Sequence, residues 1–135
     1  MLFRLKQSQI KQLKDEAYLS NPIEACALLF GKISKTAYLV KKIVVAKNIL
    51  NSTVEFAINP QFIVVELKKA ETEGLDLVGF FHSHPARAYP STVDLENMKF
   101  WTKPVWLIFS LTENEIAAYM LRNNLLEKIE LKIEA

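Results

Sequence analysis

The segment GFFHSHPARAYPSTVD, residues 79–94, contains both histidines of the chain. It begins at the end of an apolar run, LDLVGFF (75–81), which is typical of a buried strand. His82 and His84 follow that run and are separated by one residue. Because side chains at i and i+2 of a strand point to the same side, the two imidazoles can aim at one point. This spacing makes the end of the predicted strand a candidate metal site.

Asp94 is the nearest candidate for a third ligand, because the loop from Pro85 to Pro90 is long enough to fold its carboxylate back onto the histidines. Two histidines and a carboxylate, with a fourth position left to water, form a zinc set that is used in catalysis. Ser91 and Asp94 also have the form of a capping box, which opens a helix. A serine at a helix start lies among free backbone N–H groups, where an oxyanion can be stabilised. These interpretations are compatible, and the residues alone leave them open.

Glu24 is a candidate proton carrier. A metal site that hydrolyses an amide also needs a group that carries a proton to the leaving amine. Spacing alone does not choose among the carboxylates of the chain, but Glu24 opens the apolar segment EACALLFGK (24–32). A carboxylate in that position is either an exposed strand end or a functional acid. Composition does not separate these two interpretations.

The bulk properties favour one domain over residues 1–135. A chain of this length can bury one core, and 50% hydrophobic with 24% charged residues is typical of a globular protein. The net charge of +2 gives no argument for nucleic acid, and no apolar run approaches a membrane span. The single cysteine, Cys26, excludes a disulfide framework, and the N-terminal segment lacks an apolar signal region. We therefore expect a cytoplasmic protein without nucleic-acid or membrane partners, of undetermined oligomeric state.

Hydrophobic periodicity predicts three helices among seven strands. The first helix ends near Asn21-Pro22, the second begins at Asn59-Pro60 and ends at Gly74, and the third runs from Thr92 to about Trp101. The strands are predicted at residues 2–5, 24–32, 37–47, 75–81, 105–110, 115–121 and 125–133. Helices interleaved with a mixed, mostly antiparallel sheet predict a three-layer α/β domain.

Three segments together resemble the JAMM (MPN+) metalloprotease family: PIEACALLFG (22–31), GFFHSHP (79–85) and PSTVD (90–94). The family has a glutamate in the first segment, followed by HSHP and PSxxD in the same order. The resemblance covers nearly the whole chain and implies a three-layer MPN/JAMM domain with a cytidine-deaminase-like arrangement. The chain departs from the family in two places. Six residues, Pro85 to Pro90, replace the usual seven before the serine, and Ala27 stands where glycine is common.

The resemblance also implies roles for five side chains. His82, His84 and Asp94 would bind Zn2+. Glu24 would be the general acid/base beside the zinc-activated water, and Ser91 would orient the substrate carbonyl or stabilise the oxyanion.

The function implied by the resemblance is that of a zinc-dependent metallo-isopeptidase or peptidase. It would remove ubiquitin-like or sulfur-carrier modifiers, which end in a Gly-Gly tail, from lysine or C-terminal adducts. The segments at 47–56 and 100–105 are too short for the insertions of relatives specialised for ubiquitin chains. We therefore expect a simpler processing enzyme that acts on a ubiquitin-like tail.

Other functions are weighed against this one. The same residues would serve to release an amino acid such as cysteine from a sulfur-carrier protein, so only substrates distinguish that reaction. A non-catalytic MPN scaffold is a further alternative, although such relatives typically lose metal ligands. A zinc deaminase needs both cysteines of a P-C-x-x-C motif, and this chain has only one cysteine. An amidohydrolase needs a barrel of about 250 residues, which this chain is too short to form. Both of these classes are excluded.

Overall fold

The computed structural model describes residues 1–135. It contains three helices and seven strands, in the order β1 (Leu2–Lys6), α1 (Gln7–Ser20), β2 (Cys26–Ile33), β3 (Ala37–Ala46), α2 (Pro60–Thr72), β4 (Asp76–His84), α3 (Thr92–Met98), β5 (Val105–Ser110), β6 (Glu115–Arg122) and β7 (Leu125–Glu134). Every predicted element is present. None of the helices has the length and apolar character that a membrane crossing requires.

The element boundaries differ from the predictions where local hydrogen bonds decide them. The third helix ends at Met98 rather than near Trp101. The backbone N–H groups of Lys99 and Phe100 donate to carbonyls three residues earlier, which tightens the chain into a turn. The second strand begins at Cys26, so Glu24 precedes that strand instead of opening it.

The sheet is closed, whereas the three-layer α/β arrangement expected from the sequence did not specify closure. The strands run in the order β1-β3-β2-β4-β5-β6-β7, and β1 joins the two ends. It pairs in parallel with β3 along Leu2–Arg4 and with β7 along Leu2–Lys6. Four of the seven strand pairs are antiparallel and three are parallel. The prediction of a mixed, mostly antiparallel sheet is confirmed, and the sheet forms a barrel.

Both faces of the sheet are covered by helices, as predicted. Along β2, Leu28 and Phe30 belong to one hydrophobic cluster, while Ala27 and Leu29 belong to another, because successive side chains of a strand point to opposite faces. One cluster receives the buried residues of α1, which are Ile10, Leu13 and Ala17. The other receives Ala70 of α2 and Met98 of α3. Each face of the sheet therefore has its own core.

Strand β4 carries the histidines in the middle of this sheet. It is paired with β2 on one side, where His82 is opposite Cys26, and with β5 on the other, where His82 is opposite Ile108. The strand extends through His84, so both histidines have strand geometry. Pairing on both sides of His82, and with Ser110 of β5 at His84, leaves the backbone of the two histidines little freedom to move.

At Gly31 the backbones of β2 and β3 lie unusually close to each other. The pairing register shifts between Phe30 and Gly31, and a Cβ atom on Gly31 would overlap the carbonyl oxygen of Leu39. We expect Gly31→Ala to lower the free energy of unfolding by about 1–3 kcal/mol, since the clash involves backbone that cannot turn aside. Denaturant unfolding measures this change. The matched control is Gly74→Asn, where the nearest atom is the flexible Lys32 Nζ at 3.5 Å and asparagine tolerates the φ of +71°. Equal stabilities of the two variants would contradict the prediction.

Candidate metal centre

The two histidines and Asp94 converge on one point. His82 Nε2 lies 2.9 Å from His84 Nε2 and 3.0 Å from Asp94 Oδ2, and His84 Nε2 lies 3.1 Å from the same oxygen. All three residues are at most 7% exposed. The strand geometry thus brings the imidazoles together as predicted. The six-residue loop after His84 does not prevent Asp94 from reaching them.

Asp94 also completes the capping box that was predicted at the start of α3. Its backbone N–H donates to Ser91 Oγ at 3.1 Å, and the N–H of Ser91 donates to Asp94 Oδ2 at 2.9 Å. The carboxylate oxygen that faces the histidines is therefore the one that caps the helix. Both interpretations of this residue pair, cap and histidine partner, apply to the same oxygen atom.

Glu24 is buried beside the histidines. Its carboxylate and the two imidazoles offer atoms that all lie within 4.8 Å of one another, and the residue is only 3% exposed. The exposed-strand-end interpretation of Glu24 is therefore wrong. Its Oε1 atom is buried without a hydrogen-bond partner, which is costly for a structural carboxylate and common for a functional one.

The segment that carries Glu24 is tied to β4 and to the loop after β3. Ser83, between the two histidines, accepts a hydrogen bond from Ala25 N–H at 2.8 Å and donates its own N–H to Ala25 O at 3.0 Å. Glu24 N–H donates to Ser52 O at 3.0 Å. These hydrogen bonds fix the position of the Glu24 backbone relative to the strand that carries the two imidazoles. Sequence reasoning missed Ser83, and its position between two aligned histidines was the available clue.

An aromatic wall closes one side of the centre. The ring of Phe56 stacks on the imidazole of His82, with centroids 4.4 Å apart and planes inclined by 26°. Trp106 meets the same imidazole edge-on at 6.1 Å. Phe56 and Trp106 also line an apolar cavity of about 360 Å3 under α2. Phe56 was missed because it lies in an irregular segment where no periodicity points to it.

The pKa values of the two carboxyl groups in the centre are shifted in opposite directions. Burial raises the pKa of Glu24 to about 8, and the nearby charge of His84 only partly opposes this. Burial would also raise the pKa of Asp94, but its contacts with His82 and His84 outweigh burial and hold that pKa well below its ordinary value. The centre therefore has one ionised carboxylate facing the imidazoles and one carboxyl group able to exchange a proton near neutral pH.

The imidazoles differ as well. Burial lowers the pKa of His82 despite the neighbouring Asp94, which favours a neutral ring with a lone pair. Burial also opposes the charge of His84, but the hydrogen bond and charge of Asp94 prevail and raise its pKa. His84 Nδ1 lies 3.3 Å from Arg87 O, and donation to this carbonyl leaves Nε2 as the ligand atom.

The arrangement fits a metal ion of the zinc type. Donor atoms bound at about 2.0–2.1 Å in a tetrahedron lie about 3.3 Å from one another, a few tenths of an ångström more than the separations found here. Two imidazole nitrogens and a carboxylate oxygen are three donors, which leaves a fourth position free, as in the zinc sites used in catalysis and unlike closed structural sites. Cys26, in contrast, has its pKa raised to about 12 by burial and is not a thiolate ligand.

Comparisons with known proteins identify the family of the chain. The model of the Prok-JAB family, described as prokaryotic homologs of the JAB domain, matches residues 6–122. The chain is 38% identical over 117 residues to a desampylase of Pyrococcus furiosus, across 85% of this chain and 79% of that protein. The solution structure of protein DSY2949 from Desulfitobacterium hafniense is similar with a TM-score of 0.86 and 25% identity, across 99% of this chain and 93% of that one. The resemblance found in the sequence is confirmed: the chain belongs to the prokaryotic JAB-domain family and is a JAMM-type hydrolase.

Proposed function

We propose that the protein is a zinc-dependent isopeptidase that releases a ubiquitin-like modifier with a C-terminal Gly-Gly tail from a lysine amine. The observation that carries the proposal is the convergence of His82, His84 and Asp94 within about 3 Å, with the buried Glu24 carboxyl group beside them. Similarity to a protein named desampylase supports a small protein modifier as the substrate.

His82 Nε2, His84 Nε2 and Asp94 Oδ2 would hold the zinc ion. When bound, zinc supplies Lewis-acid polarisation of the scissile carbonyl and acidifies the attacking water. Glu24 accepts the proton of that water at its unpartnered carboxylate oxygen and delivers it to the leaving lysine nitrogen as the C–N bond breaks. The modifier leaves with a free C-terminal carboxylate, and the lysine leaves as an amine.

In this proposal, Ser91 donates a hydrogen bond to the developing oxyanion. Its Oγ accepts from Asp94 N–H at 3.1 Å, which fixes the hydroxyl at the start of α3 while its own proton stays free to donate. The side chain is only partly buried, so a substrate can reach it. A donor that is fixed before the reaction stabilises charge without reorganisation.

The proposal is tested with an isopeptide conjugate between a Gly-Gly-ended modifier of the host and a lysine peptide. We expect the zinc-loaded protein to release the free modifier, and we expect a chelator to abolish release until zinc is restored. Mass spectrometry of both products identifies the bond that is cleaved. No release by a protein that holds zinc stoichiometrically would contradict the proposed substrate.

Two alternatives are outcomes of the same experiment. Release of cysteine or another amino acid from the modifier's C-terminus, with no cleavage of the lysine conjugate, would indicate the sulfur-carrier reaction. A protein that binds no zinc and cleaves neither substrate would indicate a non-catalytic scaffold. The complete set of buried donors argues against the scaffold.

A further inference from the structure

The segment between β3 and α2, residues 47–59, contains no helix or strand, yet it builds two parts of the metal centre. Its Ser52 carbonyl accepts from Glu24 N–H, and its Phe56 ring stacks on His82. Irregular segments of this length are usually mobile unless something fixes them. One buried side chain within the segment, Asn48, makes the contacts that could fix it.

The amide nitrogen of Asn48 donates to backbone carbonyls of two segments, the one that carries Glu24 and the one that carries Phe56. Asn48 Nδ2 lies 3.1 Å from Glu24 O and 2.9 Å from Glu55 O, with Ser52 O further away at 3.4 Å. The residue is 6% exposed, so water does not compete for these bonds. Glu24 is thereby connected to the segment through a side chain as well as through the backbone.

The amide oxygen of Asn48 accepts two further bonds. They come from Leu50 N–H at 3.1 Å and Ala57 N–H at 3.2 Å. An asparagine amide has two N–H donors and an oxygen with two lone pairs, and all are used here. Neither glutamine nor aspartate can reproduce this set, because one is longer and the other has no N–H groups.

These bonds enclose Phe56. The residue before it, Glu55, accepts from Asn48, and the residue after it, Ala57, donates to Asn48. The same amide therefore fixes the ring that packs on His82 and the residue that carries the buried carboxyl group. Asn48 itself forms no hydrogen bond with the histidines or Asp94.

We propose that Asn48 is a positioning residue that holds Glu24 and Phe56 at fixed places relative to His82 and His84. The proposal rests on the proposed isopeptidase function only for its kinetic readout. The reaction needs Glu24 within reach of both the water and the leaving nitrogen, and a misplacement of about 1 Å can cost on the order of 100-fold in rate. Losing the amide should therefore lower turnover while the metal ligands stay in place.

The test compares Asn48→Asp with Asn124→Asp, the same chemical change at an exposed turn residue. For Asn48→Asp we expect kcat to fall about 10- to 100-fold with KM less affected and with the zinc content of the wild type. We expect no change for Asn124→Asp. A folded, zinc-loaded Asn48→Asp protein with wild-type kcat would overturn the proposal.

Amide hydrogen exchange tests the same proposal without activity. The N–H groups of Glu24, Leu50 and Ala57 should be protected in the wild type and should exchange faster in Asn48→Asp. Exchange in the wild type as fast as in exposed loops would overturn the proposal, whether or not the protein cleaves any conjugate. If Asn48→Asp does not fold, Asn48→Gln takes its place, with the same expected loss of kcat and protection. Unchanged values in that variant would equally overturn it.

Discussion

Glu24→Gln is expected to bind zinc as the wild type does and to lose turnover by about 10²- to 10⁴-fold, the contribution typical of a general acid/base. Glutamine keeps the shape of the side chain but can neither accept nor deliver the proton. The metal ligands that we propose are three other side chains, whose donor atoms the substitution leaves unchanged. The loss should appear in kcat, measured on the isopeptide conjugate, with zinc content determined on the same samples.

The expectation for Glu24 follows from its environment. The residue is 3% exposed, and its carboxyl group has an unpartnered oxygen and a pKa raised to about 8 by burial. Such a group exchanges its proton near neutral pH, where a shuttle is most useful. The matched control is Glu71→Gln, an exposed glutamate of α2, which should leave kcat unchanged. A fully active Glu24→Gln protein would remove Glu24 from the mechanism.

Asp94→Asn is expected to weaken zinc binding by on the order of 100-fold or more, because even the loss of an outer hydrogen-bond partner costs about 10–100-fold in metal affinity. Asparagine keeps the size of the side chain and a carbonyl oxygen for Ser91 N–H, so the helix cap is largely retained. What is lost is the negative charge that faces both imidazoles. Competition with a chromogenic chelator measures the affinity.

Thermal unfolding gives an independent view of the same variant. Zinc at about 100 times its dissociation constant stabilises a protein that binds it only when folded by about 2.7 kcal/mol. For a domain of this size, that corresponds to a rise in Tm of roughly 10 °C. We expect this rise in the wild type and in the control Glu96→Gln, an exposed residue of the same helix, but not in Asp94→Asn. An equal rise in Asp94→Asn would show that Asp94 is not a ligand.

The parts of the molecule that the sequence predicts are those that local chemistry determines. The spacing of His82 and His84 was sufficient to predict that their imidazoles meet, because strand geometry alone aligns them. Ser91 and Asp94 formed the predicted capping box for the same reason. Each of these features depends on a few neighbouring residues.

The parts that were missed depend on contacts between distant segments. Phe3 and Leu5 have the spacing of a strand with one buried face. The sequence of β1 does not, however, indicate that this strand pairs with β3 and β7. Asn48 and Phe56 lie in an irregular segment whose hydrogen bonds form only after that segment packs on the chain near Glu24. Tertiary contacts of this kind leave no periodic pattern in the sequence.

The placement of β1 between β3 and β7 has a consequence for synthesis on the ribosome. Residues 2–6 are translated before residues 125–134, so one edge of this strand stays unpaired until the later segment has left the exit tunnel. Phe3 and Leu5, both fully buried at the end, would be exposed to water or to chaperones in the interval. The barrel therefore cannot close until β7 is available, and a nascent chain arrested before β7 would carry β1 with one unpaired edge, which can associate with other chains.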